Sequence, residues 1–260
     1  MLFYKMNGLG NDYIFIDSSK CLKQDFEYLK RNIRAFTIKL SDRHFGVGGD
    51  GVVLLEESKM ADIKMRIFNA DGSEGKMCGN ALRCIGKLLH DGANKIRNEY
   101  YVETLSGIKL IEILNNDTYE SLVLTRMGRP KLTSIKDNVE FYDIGNKHAV
   151  FYTETLDDFT IEKASVLSKT FDVNAEAVTI DGESIKMRVW ERGSGETLAC
   201  GTGATCVAQS IFEKGLFKKS ELEIFLKGGC LVALNDKEGI SLIGKANLNY
   251  IGEINLRNYG

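Results

Sequence analysis

MRVWERGSGETLACGTGATC, residues 187–206, is the second use of a pattern already present in the chain. Residues 65–84, MRIFNADGSEGKMCGNALRC, carry the same layout at a constant offset of 122 residues, with no gap. Met65/Met187, Arg66/Arg188, Glu74/Glu196, Cys78/Cys200, Gly79/Gly201 and Cys84/Cys206 are identical, and Ile67/Val189 and Phe68/Trp190 are similar. Six identities in twenty positions exceed the roughly one match that average residue usage gives. The chain therefore reads as two copies of one unit.

In each copy an apolar run, Ile63–Phe68 or Ile185–Trp190, has the character of a strand and is followed by a polar, glycine-bearing loop. A cysteine then stands at the threshold of a helix. Cys78 precedes Ala81, Leu82, Cys84, Ile85, Leu88 and Leu89, and Cys200 precedes Ala204, Val207, Ala208 and Ile211. Gly79–Asn80 and Gly201–Thr202 are small, suit a helix start and leave its first N–H groups open. A helix N-terminus favours negative charge, so it eases ionisation of a thiol placed there and also receives a carboxylate. Two such units facing one another about a pseudo-twofold axis would bring two thiols to opposite faces of one carbon, as a two-base racemase requires.

Bulk properties agree with an enzyme of small molecules. At 260 residues one large or two medium domains are expected, and the repeat favours two: 1–126, completed by about 248–260, and 127–247. Lys+Arg number 34 and Asp+Glu 36, for a net charge of −2, without a basic block, which argues against nucleic acid. The start MLFYKMNGLGND turns polar too early for a secretion signal, and no apolar run approaches 18 residues, so a cytoplasmic protein with no membrane partner is expected. Six cysteines in such a chain read as reduced thiols rather than a disulfide framework.

Taken in order, Phe3–Lys5 and Tyr13–Asp17 read as strands around the loop MNGLGND, and one amphipathic helix is expected over about Asp25–Leu40. DRHFGVGGDG, residues 42–51, has the glycines of a dinucleotide fingerprint, but it precedes a strand (Val52–Glu56) where that fingerprint must follow one. Strands are then expected at Tyr100–Thr104, Lys109–Leu114, Leu122–Thr125, Phe141–Ile144, Ala149–Tyr152 and Val173–Ile180, with a counterpart helix over Leu156–Phe171. Leu222–Leu226, Cys230–Leu234, Ile240–Ile243 and Tyr250–Leu256 complete the count, the last returning to the first half. The fold class expected from these elements is α+β, in two pseudo-symmetric domains.

The sequence resembles the diaminopimelate epimerase family of cofactor-independent amino-acid racemases. The likeness runs through NGLGND, DRHFGVGGDG, FNADGSE, MCGNALRC, GNKHAV, WERGSGETLACGTG and YIGEI, which together span essentially the whole chain. The resemblance implies Cys78 and Cys200 as the acid/base pair, with His148 and Glu191 assisting them. It also implies Gly79, Asn80, Gly201 and Thr202 as backbone donors to the α-carboxylate, and Glu191 and Arg192 on the amino group and the distal end. Asn11, Asn69, Asn146 and Asn174 would read the distal amino-acid moiety, and Tyr250 would pack a homodimer. No cofactor and no metal are implied; the resemblance further implies that each domain is a mostly antiparallel sheet or barrel wrapped on a central helix, with the active site in the cleft between them, and that the reaction is L,L- to meso-diaminopimelate, a lysine and peptidoglycan precursor. The family usually has Gly where Ala81 stands and Pro where Lys147, Lys227 and Lys245 stand, and Thr205 before Cys206 is a further departure; none removes a proposed catalytic group.

Other readings of these residues are weaker. Cys84 and Cys206 fit core packing, Cys21 and Cys230 core or surface thiols, and His44 and His90 structural or solvent-facing positions. A zinc site from Cys78, Cys84, Cys200 and Cys206 lacks the short spacing of a zinc knuckle. The alternatives to diaminopimelate are lanthionine or histidine as substrate, or a non-catalytic small-molecule binder on the same fold.

Overall fold

The computed structural model describes residues 1–93 and 97–259. Gly260, the last residue of the segment expected to complete the first half, lies outside the described residues. The chain forms two units, Met1–Val123 with Lys245–Gly260, and Leu124–Gly244. None of the helices among the described residues is long and apolar enough to cross a membrane.

The first unit contains β1 (Leu2–Gly8), β2 (Asn11–Asp17), α1 (Lys23–Arg31), α2 (Ile33–Ser41), β3 (Gly51–Glu56), β4 (Ile63–Asn69), β5 (Glu74–Gly75), α3 (Gly79–Asp91), β6 (Glu99–Thr104), β7 (Gly107–Asn116) and the start of β8 (Glu120–Gly128). The second contains the end of β8, β9 (Lys131–Lys136), β10 (Val139–Asp143), β11 (Lys147–Tyr152), α4 (Asp158–Phe171), β12 (Asn174–Asp181), β13 (Ser184–Glu191), β14 (Gly195–Thr197), α5 (Gly201–Glu213), β15 (Glu221–Leu226), β16 (Gly229–Asp236) and the first part of β17 (Gly239–Glu253). From Lys245 onward β17 belongs to the first unit, where it pairs antiparallel with β1.

Pairing follows one scheme in both units. In the first, β1–β2 is antiparallel, β2–β3 parallel, β3–β4 antiparallel, β4–β6 parallel and β6–β7 antiparallel. In the second, β10–β11, β11–β12, β12–β13, β13–β15 and β15–β16 repeat that order of directions. Successive side chains point to opposite faces, so the unbroken buried runs of β2 and β3 are apolar on both sides. In β2 and β3, Tyr13, Phe15, Val53 and Leu55 face inward onto Ala81, Leu82, Cys84 and Ile85 of α3. Their neighbours Ile14, Ile16, Val52 and Leu54 face outward onto Phe26, Leu29, Phe36 and Leu40 of α1 and α2. All eight major strands of the first unit send side chains to the core around α3, so the helix is the axis of a barrel. In the second unit α5 is buried continuously from Gly201 to Ile211, while α4 packs outside on β10–β13 through Ile161 and Ala164.

The six repeated identities have physical reasons. Met65 and Met187 are core residues. Arg66 grips Glu74 through Nε at 2.7 Å and Nη2 at 3.1 Å, and Arg188 grips Glu196 at 2.6 and 3.1 Å, so a two-point ion pair ties each polar loop back to its strand. Cys84 and Cys206 are buried in the helices. Cys78 with Gly79, and Cys200 with Gly201, form the helix starts.

Four local expectations are corrected. The helix expected over Asp25–Leu40 is two helices, because Asn32 turns its side chain onto the Tyr28 carbonyl (3.0 Å) and ends the first. The MNGLGND loop shrinks to a two-residue hairpin turn, with Leu9 at φ 58° and Gly10 at φ 81°. Ile240–Ile243 and Tyr250–Leu256 belong largely to one fifteen-residue strand, β17. β9 was not expected, and all its residues are exposed, so it lacks an alternating pattern.

Helix α4 begins at a cap the sequence spells out. Asp157 accepts the Thr160 amide and hydroxyl, both at 2.9 Å. Asp157→Ala should cost about 1 kcal/mol, measured as a lowered denaturation midpoint at unchanged slope; no change would show that the cap is solvent-replaceable.

Candidate active site

In the first unit Cys78 has an extended backbone (φ −139°, ψ 122°) and Gly79 opens α3. The hairpin turn before β2 brings Asn11 over this helix start. Asn11 Oδ1 accepts from Cys78 Sγ (3.3 Å) and from Asn80 Nδ2 (3.1 Å), while its amide donates to Asp50 Oδ2 (2.7 Å). Asp50 in turn accepts the Asp12 amide at 3.0 Å and the Arg43 guanidinium at 2.9 Å. Burial works against the Asp12 carboxylate, but Arg43 and Lys5 hold its pKa below the ordinary value. Asn11, Cys78, Gly79 and Asn80 therefore come together on a braced loop. Asn69 ends β4 instead, exposed, its amide donating to Ser73 Oγ in its own turn (3.0 Å).

In the second unit Cys200 has φ −120° and ψ 109°, and its sulfur accepts the Gly203 amide at 3.4 Å, as a cap of α5. Thr202 Oγ1 lies 3.4 Å from that sulfur and accepts Asn146 Nδ2 at 3.2 Å. Beside them His148 is wholly buried, and its Nδ1–H donates to Glu176 Oε1 at 2.7 Å. That bond leaves His148 Nε2 and Glu176 Oε2 as buried atoms without hydrogen-bond partners. Glu191 accepts Thr197 Oγ1 at 2.5 Å, and burial pushes its carboxyl above the usual range. Burial, then Glu191 and Glu176, push the Cys200 thiol well above its ordinary value, so at neutral pH it holds its proton.

Asn174 pairs with His148 across β11 and β12, and its Oδ1 accepts the Arg192 backbone amide at 2.9 Å. The Arg192 guanidinium points elsewhere, to Asp172 at 2.8 Å on the surface. Tyr250 is exposed on β17, edge-on to Phe3 with centroids 6.0 Å apart.

The donors of His148, Glu176 and Cys200 lie within 4.8 Å of one another, the spacing of a metal group. Packing leaves little space there: a methyl group on Gly203 would sit 2.5 Å from Glu176 Oε1. The positive end of α5 also opposes a cation. The trio is better suited to managing a proton at the thiol. Cys84 and Cys206 are buried core thiols; burial pushes Cys84 up to about 12 and Cys206 well above the ordinary value. Six residues along a helix turn a side chain through about 240° relative to the capping cysteine, away from any shared ligand face.

The family model described as diaminopimelate epimerase matches residues 3–133 and 141–249. A diaminopimelate epimerase of Methanococcus maripaludis strain C5 is 39% identical, covering 98% of this chain and 100% of the relative. One from Acetivibrio thermocellus is 40% identical over 98% of this chain and 99% of its own. The chain belongs to the diaminopimelate epimerase family. It is thus an isomerase of the racemase and epimerase class. Solved structures carry the fold further. A hydroxyproline epimerase from Agrobacterium vitis superposes with a TM-score of 0.72 at 12% identity, covering 98% of this chain and 90% of that one. A PhzF-family protein of Bacillus anthracis gives 0.71 at 17%, covering 98% and 99%. Diaminopimelate epimerase membership thus rests on sequence, and these structures share the architecture.

Three residues near these helix starts, one in the second unit and two in the first, escaped the sequence reading. Glu176 had a signal: a carboxylate set between Ala175 and Ala177 in an otherwise apolar strand. Arg83, fully buried on α3, had a similar one between Leu82 and Cys84. Asp50 was hidden by the glycines around it.

Proposed function

We propose that the protein inverts the α-carbon of an amino acid by a two-base mechanism: one cysteine thiolate takes the α-proton and becomes a thiol, while the other cysteine's thiol delivers its proton to the opposite face and becomes a thiolate. Cys78 and Cys200 would be that pair, and L,L-diaminopimelate, converted to the meso form, the substrate. The observation that carries this reading is the duplicated helix start: a cysteine in extended backbone standing immediately before a buried helix, once in each unit.

Removing an α-proton without a pyridoxal cofactor places charge on the α-carboxylate. N–H groups at a helix start stabilise such charge, and one well-placed donor is worth about 3 kcal/mol. A thiol ionises close enough to neutrality to act in either direction. His148 with Glu176, and Glu191, would govern the proton on Cys200. Asn11, Asn69, Asn146, Asn174 and Arg192 offer the polar groups to recognise a second amino-acid end; for that, Arg192 would exchange Asp172 for substrate. The names of the related sequences favour diaminopimelate over lanthionine and histidine. Tyr250, exposed on β17, would serve a homodimer contact.

The test is to incubate the reduced protein separately with L,L-diaminopimelate, L,L-lanthionine and L-histidine and follow stereochemistry by chiral chromatography. Inversion of diaminopimelate in preference to the others is expected. Inversion confined to another amino acid would overturn the substrate, and none with any, in folded and reduced protein, would favour a binding protein.

A further inference from the structure

We infer that Glu176 is a positioning residue for His148: it holds the imidazole as the Nδ1–H tautomer, so that Nε2 carries a bare lone pair and can accept a proton beside Cys200. The catalytic meaning of this tautomer rests on the two-thiol reading; the tautomer itself does not.

His148 and Glu176 are both wholly buried, and a 2.7 Å contact joins Nδ1 of one to Oε1 of the other. Neither His148 Nε2 nor Glu176 Oε2 finds a hydrogen-bond partner among the described residues. Buried N–H groups without an acceptor are rarer than acceptors without a donor, because acceptors hold spare lone pairs. One placement of the protons leaves no donor of the pair stranded. An imidazolium would bury an unpaired Nε2–H. A protonated carboxyl donating from Oε1 to Nδ1 would leave the proton of the neutral ring on Nε2, again unpaired, and a proton on Oε2 would itself lack an acceptor. An ionised Glu176 that accepts Nδ1–H, with Nε2 bare, satisfies every donor of the pair. Helix α5 favours the same placement. A methyl group on Gly203 would lie 2.5 Å from Glu176 Oε1, so the carboxylate stands against the first turn of α5, at its positive end.

The other copy of the repeat does without this pair. Val189 is the counterpart of Ile67 at the offset of 122. Glu176 lies opposite Val189 and Val53 opposite Ile67, so Glu176 takes the place of Val53. Across the parallel ladder Glu176 lies opposite Val150 and Val53 opposite Phe15, which puts His148 in the place of Tyr13. Tyr13 and Val53 belong to the apolar core around α3, together with Ala81 of that helix. In the second copy Gly203 stands where Ala81 would, and the missing methyl group makes the room the carboxylate fills. Packing alone therefore does not call for histidine and glutamate here, since apolar side chains fill the equivalent place and a buried polar pair brings little net stability. The group they serve is Cys200. Donor atoms of His148, Glu176 and Cys200 lie within 4.8 Å of one another, and the thiol holds its proton at neutral pH. A bare imidazole nitrogen is the acceptor such a thiol needs before it can act as a base. A buried carboxylate holds the histidine of a hydrolase triad in the same way.

The test is a long-range proton–nitrogen NMR spectrum of substrate-free protein labelled at histidine, recorded at neutral pH, which separates a protonated ring nitrogen from a bare one. The chain has three histidines, and the signals lost in His148→Gln identify those of His148. In the unaltered protein Nδ1 should be protonated and Nε2 bare. Glu176→Met, close in volume but without the carboxylate, should move the tautomer ratio at least about ten-fold toward Nε2–H, the worth of one hydrogen bond to a charged group. An unaltered protein with its proton on Nε2, or on both nitrogens, would overturn the assignment. So would a folded Glu176→Met variant whose ratio does not move. Should that variant not fold, the spectrum of the unaltered protein decides. No substrate is present, so this result stands apart from whether the protein inverts diaminopimelate.

Discussion

Cys78→Ala and Cys200→Ala should each reduce inversion of the α-carbon by about 10²–10⁴-fold, the span of a lost general acid or base. The reason is that two-base inversion needs a group on each face. Removing one leaves a proton that can come off and return only from the side it left. Each variant can then still exchange the α-proton on the face its surviving thiol addresses, without changing configuration. The protein should remain folded, since Cys78 is partly exposed and Cys200 loses only long sulfur contacts to the Gly203 amide and the Thr202 hydroxyl. Chiral chromatography of the product, set beside circular dichroism of the variant, checks both points. A single variant that inverts at the parent rate would remove its cysteine from the chemistry.

Gly203→Ala should lower kcat/KM by about 10²-fold, the scale expected from a misplacement of around 1 Å in a catalytic group. A methyl group there would meet Glu176 Oε1 at 2.5 Å and its Cδ and Cγ at 3.0 Å. Glu176 has nowhere exposed to go, and its shift breaks the 2.7 Å bond that orients His148. On open helix surface the same change would stabilise by roughly 1 kcal/mol; here overpacking should reverse the sign and cost about 1–3 kcal/mol. Glu176→Asp, shorter by one methylene, should recover part of the loss when combined with Gly203→Ala. Kinetics and thermal melts of the two single variants and the double variant measure this coupling. A more stable Gly203→Ala variant with parental activity would mean that the carboxylate is not held as described.

The repeat at 122 residues made the architecture legible, because each copy carries its own strand, polar loop and helix start in contiguous sequence. The helix starts at Gly79 and Gly201 were readable from small residues followed by apolar spacing. What escaped depends on contacts distant in sequence. Asn32 breaks a helix through one side-chain bond, which apolar spacing alone does not register. β17 has a polar middle around Gly244, Lys245 and Asn247, where its pairing passes from β16 to β1, so its two apolar ends read as separate strands. β9 has no buried face to generate alternation. In the candidate site, Cys78, Cys200 and Asn11 stood out by residue type and position. Glu176 and Arg83 did not, since their meaning lies in being buried, and burial of a charged side chain follows from packing among several elements.

Deuterium oxide offers the most direct measurement of the two-thiol account. The reduced enzyme would be mixed with L,L-diaminopimelate in that solvent, and the isotope content of the remaining substrate and of the inverted product followed at early times. The account predicts that the inverted centre carries solvent deuterium from the first turnover, because the proton it receives comes from a thiol equilibrated with solvent before substrate binds. Inverted product that retains the original α-hydrogen at early times would contradict it, since one group would then have carried the same proton from face to face.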